Sequence, residues 1–180
     1  MSMLEPETIP DGALPVAELA AQMRLPDGWE TVPGQERRLR GRLRAAIADV
    51  EARLGKLLIL RTVSARLPVE PDRRVTVLLA PVREVLSVKD AETGAAVAVE
   101  RLNPGAHEAT VSLGDAVPAG AELTLSLRAG YGGWSDIPDG LAQAVLLLAE
   151  AADGGDAVSG ADRVNALLAP MRSLRLGPTP

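Results

Sequence analysis

The sequence predicts an α+β fold: a helical pair on the N-terminal side, a central antiparallel or mixed β-region, then a buried helix, a short helix and an extended tail. Three observations carry this. A leucine stripe at helical spacing runs through residues 34–58, an alternating apolar pattern then persists for about 70 residues, and a densely apolar helical stretch follows Pro138.

Residues 1–15 hold three prolines and no apolar period, so they are expected as an N-terminal arm, with a domain over 16–170 and a tail over 171–180. Val16, Leu19, Ala20 and Met23 fall at helical spacing in a short helix that Pro26 ends. In the long helix, Leu39, Leu43, Ile47, Val50, Leu54 and Leu57 form one apolar stripe, and Glu36 with Arg40 and Asp49 with Arg53 add i,i+4 ion pairs. The alternating stretches predict strands over 60–67, 75–79, 85–89, 95–99, 109–113 and 122–127. Asp90 to Gly94 reads as a hairpin loop in which Gly94 supplies the positive φ.

Gly130, Gly132 and Gly133 break the last strand, and a helix opens at Pro138. Leu141, Val145, Leu148 and Ala152 share one face of it, while Leu146, Leu147 and Ala151 cover most of the rest. A helix apolar nearly all round must be buried nearly all round, at the centre of the domain or partly by a neighbouring subunit. Ser159 and Asp162 have the spacing of a capping box and are expected to open a short helix, with Val164, Leu167 and Leu168 on it and Pro170 stopping it.

Composition excludes several function classes. The chain has no cysteine and one histidine, His107, so thiolate sites and Cys/His zinc clusters are out of reach. Its longest apolar run, Ala144 to Ala149, is far short of the roughly 20 residues of a membrane span, and a soluble, cytoplasmically made protein is expected. The net charge of -5 and the absence of phenylalanine speak against a protein that grips nucleic acid or stacks bases.

The remaining constellations are weak as chemistry. The glycine cluster lacks the G-x-G-x-x-G and Gly-Lys-Ser/Thr patterns, and Asp136 and Asp139 would repel a phosphate, so a hinge is the better reading. Asp153, Asp156 and Asp162 lack the ligand spacing of a calcium loop. No nucleophile, base or metal set is partnered, so no catalytic residue, metal or other cofactor is expected and the chain reads as a non-enzyme. Arg37, Arg38, Arg40, Arg42 and Arg44 crowd the long helix, either as its solvated side or as a contact to a partner protein or DNA. Arg40 and Arg44, with only Glu36 nearby, are the pair most in need of another carboxylate.

Three phrases in order resemble the head-tail connector (adaptor) proteins of long-tailed bacteriophages and gene transfer agents. They are Leu79-Ala-Pro-Val-Arg-Glu-Val-Leu-Ser-Val88, Ala129-Gly-Tyr-Gly with Ile137-Pro before an apolar helix, and Val164-Asn-Ala-Leu-Leu-Ala-Pro-Met-Arg172. The chain departs from the family where an aromatic-rich run often follows the apolar helix and Ala149-Glu-Ala-Ala-Asp-Gly stands here. The resemblance implies a virion structural protein, expected as a dodecameric ring under the portal that bridges it to a stopper or tail-completion protein. Double-stranded DNA is expected to pass through without specific binding, and no membrane partner is implied. On this reading Leu141, Val145, Leu146, Leu147 and Leu148 are the expected subunit interface. Met171, Arg172, Leu174, Arg175 and Leu176 are the expected portal contact. The long helix and the apolar helix are expected to pair against the sheet. A stopper or tail-completion role, or a small DNA-binding packaging module using the arginine helix, are the alternatives.

Overall fold

A single face of the segment Gln35–Leu54 buries Leu39, Leu43, Ile47, Val50 and Leu54, and the stripe read from the sequence is the packing face of a 20-residue helix. The computed structural model describes residues 3–114, 117–152 and 157–171. The elements in order are β1 (Met3–Pro6), α1 (Val16–Gln22), α2 (Gln35–Leu54), β2 (Arg61–Pro68), β3 (Arg74–Val77), β4 (Val82–Asp90), β5 (Val99–Pro104), β6 (Ala109–Leu113), β7 (Glu122–Ala129), α3 (Asp139–Ala151) and α4 (Ala157–Leu168). The fold class is α+β, and every pairing between these strands is antiparallel. The described residues group into a β-unit, drawn from 1–9 and 55–133, and a helical unit, drawn from 10–54 and 134–180.

In the β-unit one sheet has the order β1-β2-β7-β4 and the other β3-β6-β5. The register sets Val63 opposite Leu127, Ala65 opposite Leu125 and Leu67 opposite Leu123, and all six are buried. Val75 opposite Val111 and Val77 opposite Ala109 supply the second sheet's share of the same apolar cluster. Alternation on these strands thus sorts residues between core and solvent, as a period of two requires.

Four of the departures from the sequence reading have a local reason. Within residues 1–15, Met3–Pro6 pairs with β2, Glu7 N–H continues to Thr62 O at 2.9 Å, and Ile9 and Leu14 are buried. A four-residue edge strand that ends on a proline is too short to show a period. The long helix ends at Leu54 rather than 58 because Gly55 takes φ +63°, the left-handed C-terminal cap, so Leu57 belongs to the β-unit core. The strand expected at 95–99 is reduced to a bridge between Ala96 and Lys89, and β5 begins at Val99. Its bulge between Val99 and Arg101 puts Leu102 opposite buried Val111 and Arg101 opposite Ser112, which strict alternation cannot anticipate. Lastly, α4 starts at Ala157, so Ser159 lies inside it and is not its N-cap.

In the helical unit α3 packs against α1, α2 and α4. Trp134 Nε1 donates to Glu18 Oε2 at 2.7 Å and Gln22 Nε2 donates to Glu150 Oε2 at 3.0 Å, which ties α1 to both ends of the α3 segment.

Candidate interaction surfaces

The five arginines of α2 divide into two groups. Arg40 and Arg44 converge on one carboxylate, that of Asp11: Arg40 Nη1 donates to Oδ2 at 3.0 Å and Arg44 Nη2 donates to Oδ1. Arg40 also holds Glu36, the expected i,i+4 partner. Hydrogen bonding from Arg44 is the main cause that holds the Asp11 carboxyl below its usual pKa; desolvation opposes it in part, and the charges of Arg40 and Arg44 add to the lowering. Arg42 reaches Met23, its Nη1 3.7 Å from Sδ, while Arg37 and Arg38 are exposed. Sequence reasoning identified the need for a carboxylate but not Asp11, which stands 29 residues before Arg40 and 33 before Arg44.

The expected subunit interface divides as well. Leu141 and Val145 are fully buried and Leu146 is 8% exposed, so the helix that is apolar nearly all round lies at the centre of the helical unit. Leu147 and Leu148 are half-buried. Of the expected portal contact, Met171 ends a short 3-10 turn and is half-buried, whereas Arg172, Leu174, Arg175 and Leu176 lie outside the described residues.

The glycine stretch is a strut of the β-unit. Gly130 N–H donates to Pro81 O at 2.9 Å, Tyr131 N–H to Leu58 O at 3.1 Å, and Leu60 N–H to Gly132 O at 2.8 Å. Arg83 closes the arrangement, with Nε donating to Gly130 O at 3.2 Å and Nη2 to Tyr131 O at 3.0 Å. These amides point into the protein's own carbonyls, so they form no anion-binding cradle. Burial raises the Tyr131 hydroxyl above its usual pKa, and the Arg83 charge opposes this in part. His107 is exposed in the turn between β5 and β6. Among the described residues no group of three His, Cys, Asp or Glu side chains could hold a metal ion. No helix among them is long and apolar enough to cross a membrane.

Two buried charged residues among those described, Glu51 and Lys56, escaped the sequence reading. Lys56 is 6% exposed, and burial lowers its pKa. It follows Gly55, where the stripe of α2 had been expected to continue, so nothing in the local pattern marked it.

The chain is thus a two-unit α+β protein, its helical unit braced by an arginine–carboxylate strut and its β-unit by a glycine strut. No protein-family profile and no curated protein matches the chain. Solved structures do match it over 98% of its length and 98% of theirs. A chain in the neck of an empty gene transfer agent (GTA) particle, computed with C6 symmetry, superimposes with a TM-score of 0.82 at 31% identity. A chain in the virion of a native GTA particle gives 0.78 at 32%, and one in the neck of the native particle, computed with C12 symmetry, gives 0.77 at 31%. The chain belongs to the head-tail connector family of long-tailed bacteriophages and gene transfer agents.

Proposed function

We propose that the chain is a structural adaptor: copies of it form a ring at the head-tail junction of a phage or phage-like particle, beneath the portal, and DNA passes through the ring from capsid to tail. The supporting observation is the end-to-end likeness to a neck chain, with a TM-score of 0.82 covering 98% of both chains. That similar chains occur in necks computed with C6 and C12 symmetry favours a ring of twelve. The charge of -5 suits a passage, because every phosphate a protein neutralises strengthens its hold on DNA through counterion release.

In this reading the domain over 16–170 builds the ring, and the tail over 171–180, with Met171, Arg172, Leu174, Arg175 and Leu176, docks on the portal. Native mass spectrometry of the full chain, alone and with the portal of its particle, tests the ring. A twelve-subunit mass in either setting is expected, and a persistent monomer in both overturns the reading. Deleting residues 171–180 is expected to abolish tail attachment, and normal attachment sinks the assignment of the tail.

A further inference from the structure

The apolar excess of α3 is not wholly absorbed by α1, α2 and α4. Leu147 stays half-buried, and with half-buried Met23 it lines an open cleft of about 660 Å³ between the end of α1, the middle of α3 and α4. Two cations, Arg24 and Arg163, line the same cleft. Both are exposed, and among the described residues neither guanidinium has a hydrogen-bond or ion-pair partner. The acid that lines it, Glu150, is already held by Gln22 at 3.0 Å.

The backbone marks Arg24 independently. It closes α1 with φ +53°, and Leu25 N–H donates back to Ala20 O across it at 3.0 Å. This is the helix-ending position at which glycine is usual, because a side chain there is strained. Here the strained position carries a long cation beside the cleft.

Met23 and Leu147 set among mostly polar groups, with two guanidiniums to one carboxylate, call for a chiefly acidic counterpart with some apolar contact, since arginine and methionine are enriched in protein interfaces and complementary charge fixes their register. A chain with 24 acidic residues against 19 basic ones offers such surface on every other copy of itself. A two-fold contact with its axis at the cleft would bring Arg24 and Arg163 of the two copies together, like charge near like. A head-to-tail contact avoids this, and a head-to-tail contact that closes makes a ring. The necks with C6 and C12 symmetry that contain similar chains have that arrangement available.

We infer that the cleft of Met23, Arg24, Leu147 and Arg163 receives an acidic surface of a second copy of this chain, and is one side of a head-to-tail subunit contact. The inference rests on the ring reading and names its surface. Two experiments on the full chain test it. In the first, Arg24→Glu with Arg163→Glu is compared with wild type and with a control of equal charge change, Lys89→Glu with Arg101→Glu. Assembly is followed by native mass spectrometry, alone and on the portal. Association at least tenfold weaker in the first variant and unchanged in the control is expected. Wild-type assembly by Arg24→Glu/Arg163→Glu overturns the inference and leaves the ring intact, while failure of the wild type itself to assemble overturns both. In the second, the chain's lack of cysteine makes Leu147→Cys a lone thiol. It is expected to react with a bulky maleimide in dilute monomer and to be protected at least tenfold in the assembly. Equal protection in the monomer means that the chain's own residues cover the cleft, and overturns the inference.

Discussion

The Asp11 carboxylate joins two turns of α2 by holding Arg40 and Arg44 at once, with 3.0 Å between Asp11 Oδ2 and Arg40 Nη1. The turn that precedes α1 is thereby pinned to the middle of the long helix. Two arginines one turn apart repel each other on an isolated helix, and a shared anion turns that repulsion into a staple. The arginine row of α2 is therefore partly internal structure, and Arg37 and Arg38 are its exposed members.

Asp11 should make stability depend on pH in acid. Its folded pKa lies below its unfolded value, so its contribution is fully present above the usual carboxylate range and is lost as pH falls through the lowered pKa. Asp11→Asn is expected to melt below wild type at neutral pH, with the gap closing as both are acidified through that window. A gap of the same size across the whole acid range would show that the carboxylate's charge is not what matters.

Gly130 is required by space as well as by angle. It holds φ +127°, and a Cβ there would stand 2.5 Å from Ile59 O and 2.6 Å from Leu60 Cα, both backbone atoms that cannot swing aside. Gly130→Ala is expected to cost about 2–5 kcal/mol, the sum of a strained backbone and local overpacking. Urea unfolding followed by circular dichroism measures it, and a change within about 0.5 kcal/mol, as at an ordinary surface site, contradicts the packing described.

The loop after β4 should also respond to acid. Asp90 accepts from the backbone amides of Glu92 at 3.0 Å and Thr93 at 2.7 Å, and from Thr93 Oγ1 at 2.9 Å. Those bonds, led by the Thr93 amide, lower its pKa, so the loop's order is present above the usual carboxylate range and is lost as pH falls through the lowered value. Hydrogen exchange is expected to show protection of the Glu92 and Thr93 amides at neutral pH that Asp90→Ala removes. Equal protection in the variant would mean that Gly94 N–H to Asp90 O, at 2.9 Å, suffices to hold the turn.

What could be read in advance was what local chemistry dictates. Gly94 takes φ +72° in the predicted hairpin loop, and Glu36–Arg40 and Asp49–Arg53 pair as their spacing requires. Asp11 was out of reach because its partners lie far along the chain, and no periodicity links a turn to a distant helix. The bulge before Arg101 was hidden for another reason: it breaks the alternation by which strands are recognised. The composition of α3 showed that it must be covered on nearly all sides, yet composition cannot say by what. Leu141, Val145 and Leu146 are covered from within, while Leu147 stays half-buried beside arginines that no apolar pattern could find.

That division along α3 yields the sharpest stability contrast. Leu141 is 0% exposed, so Leu141→Ala removes a fully packed side chain and leaves a cavity, at a cost of about 2–5 kcal/mol. Leu147 lies half-open in the cleft, where water can fill the space that truncation leaves, so Leu147→Ala should cost the monomer less than half as much. The order should reverse in assembly: Leu147→Ala weakens subunit association out of proportion to its effect on folding, whereas Leu141→Ala acts through folding alone. Denaturation of dilute monomer alongside native mass spectrometry of the assembly separates the two effects. Equal destabilisation of the monomer by both substitutions would place Leu147 in the core, and remove the reason to look for a neighbour there.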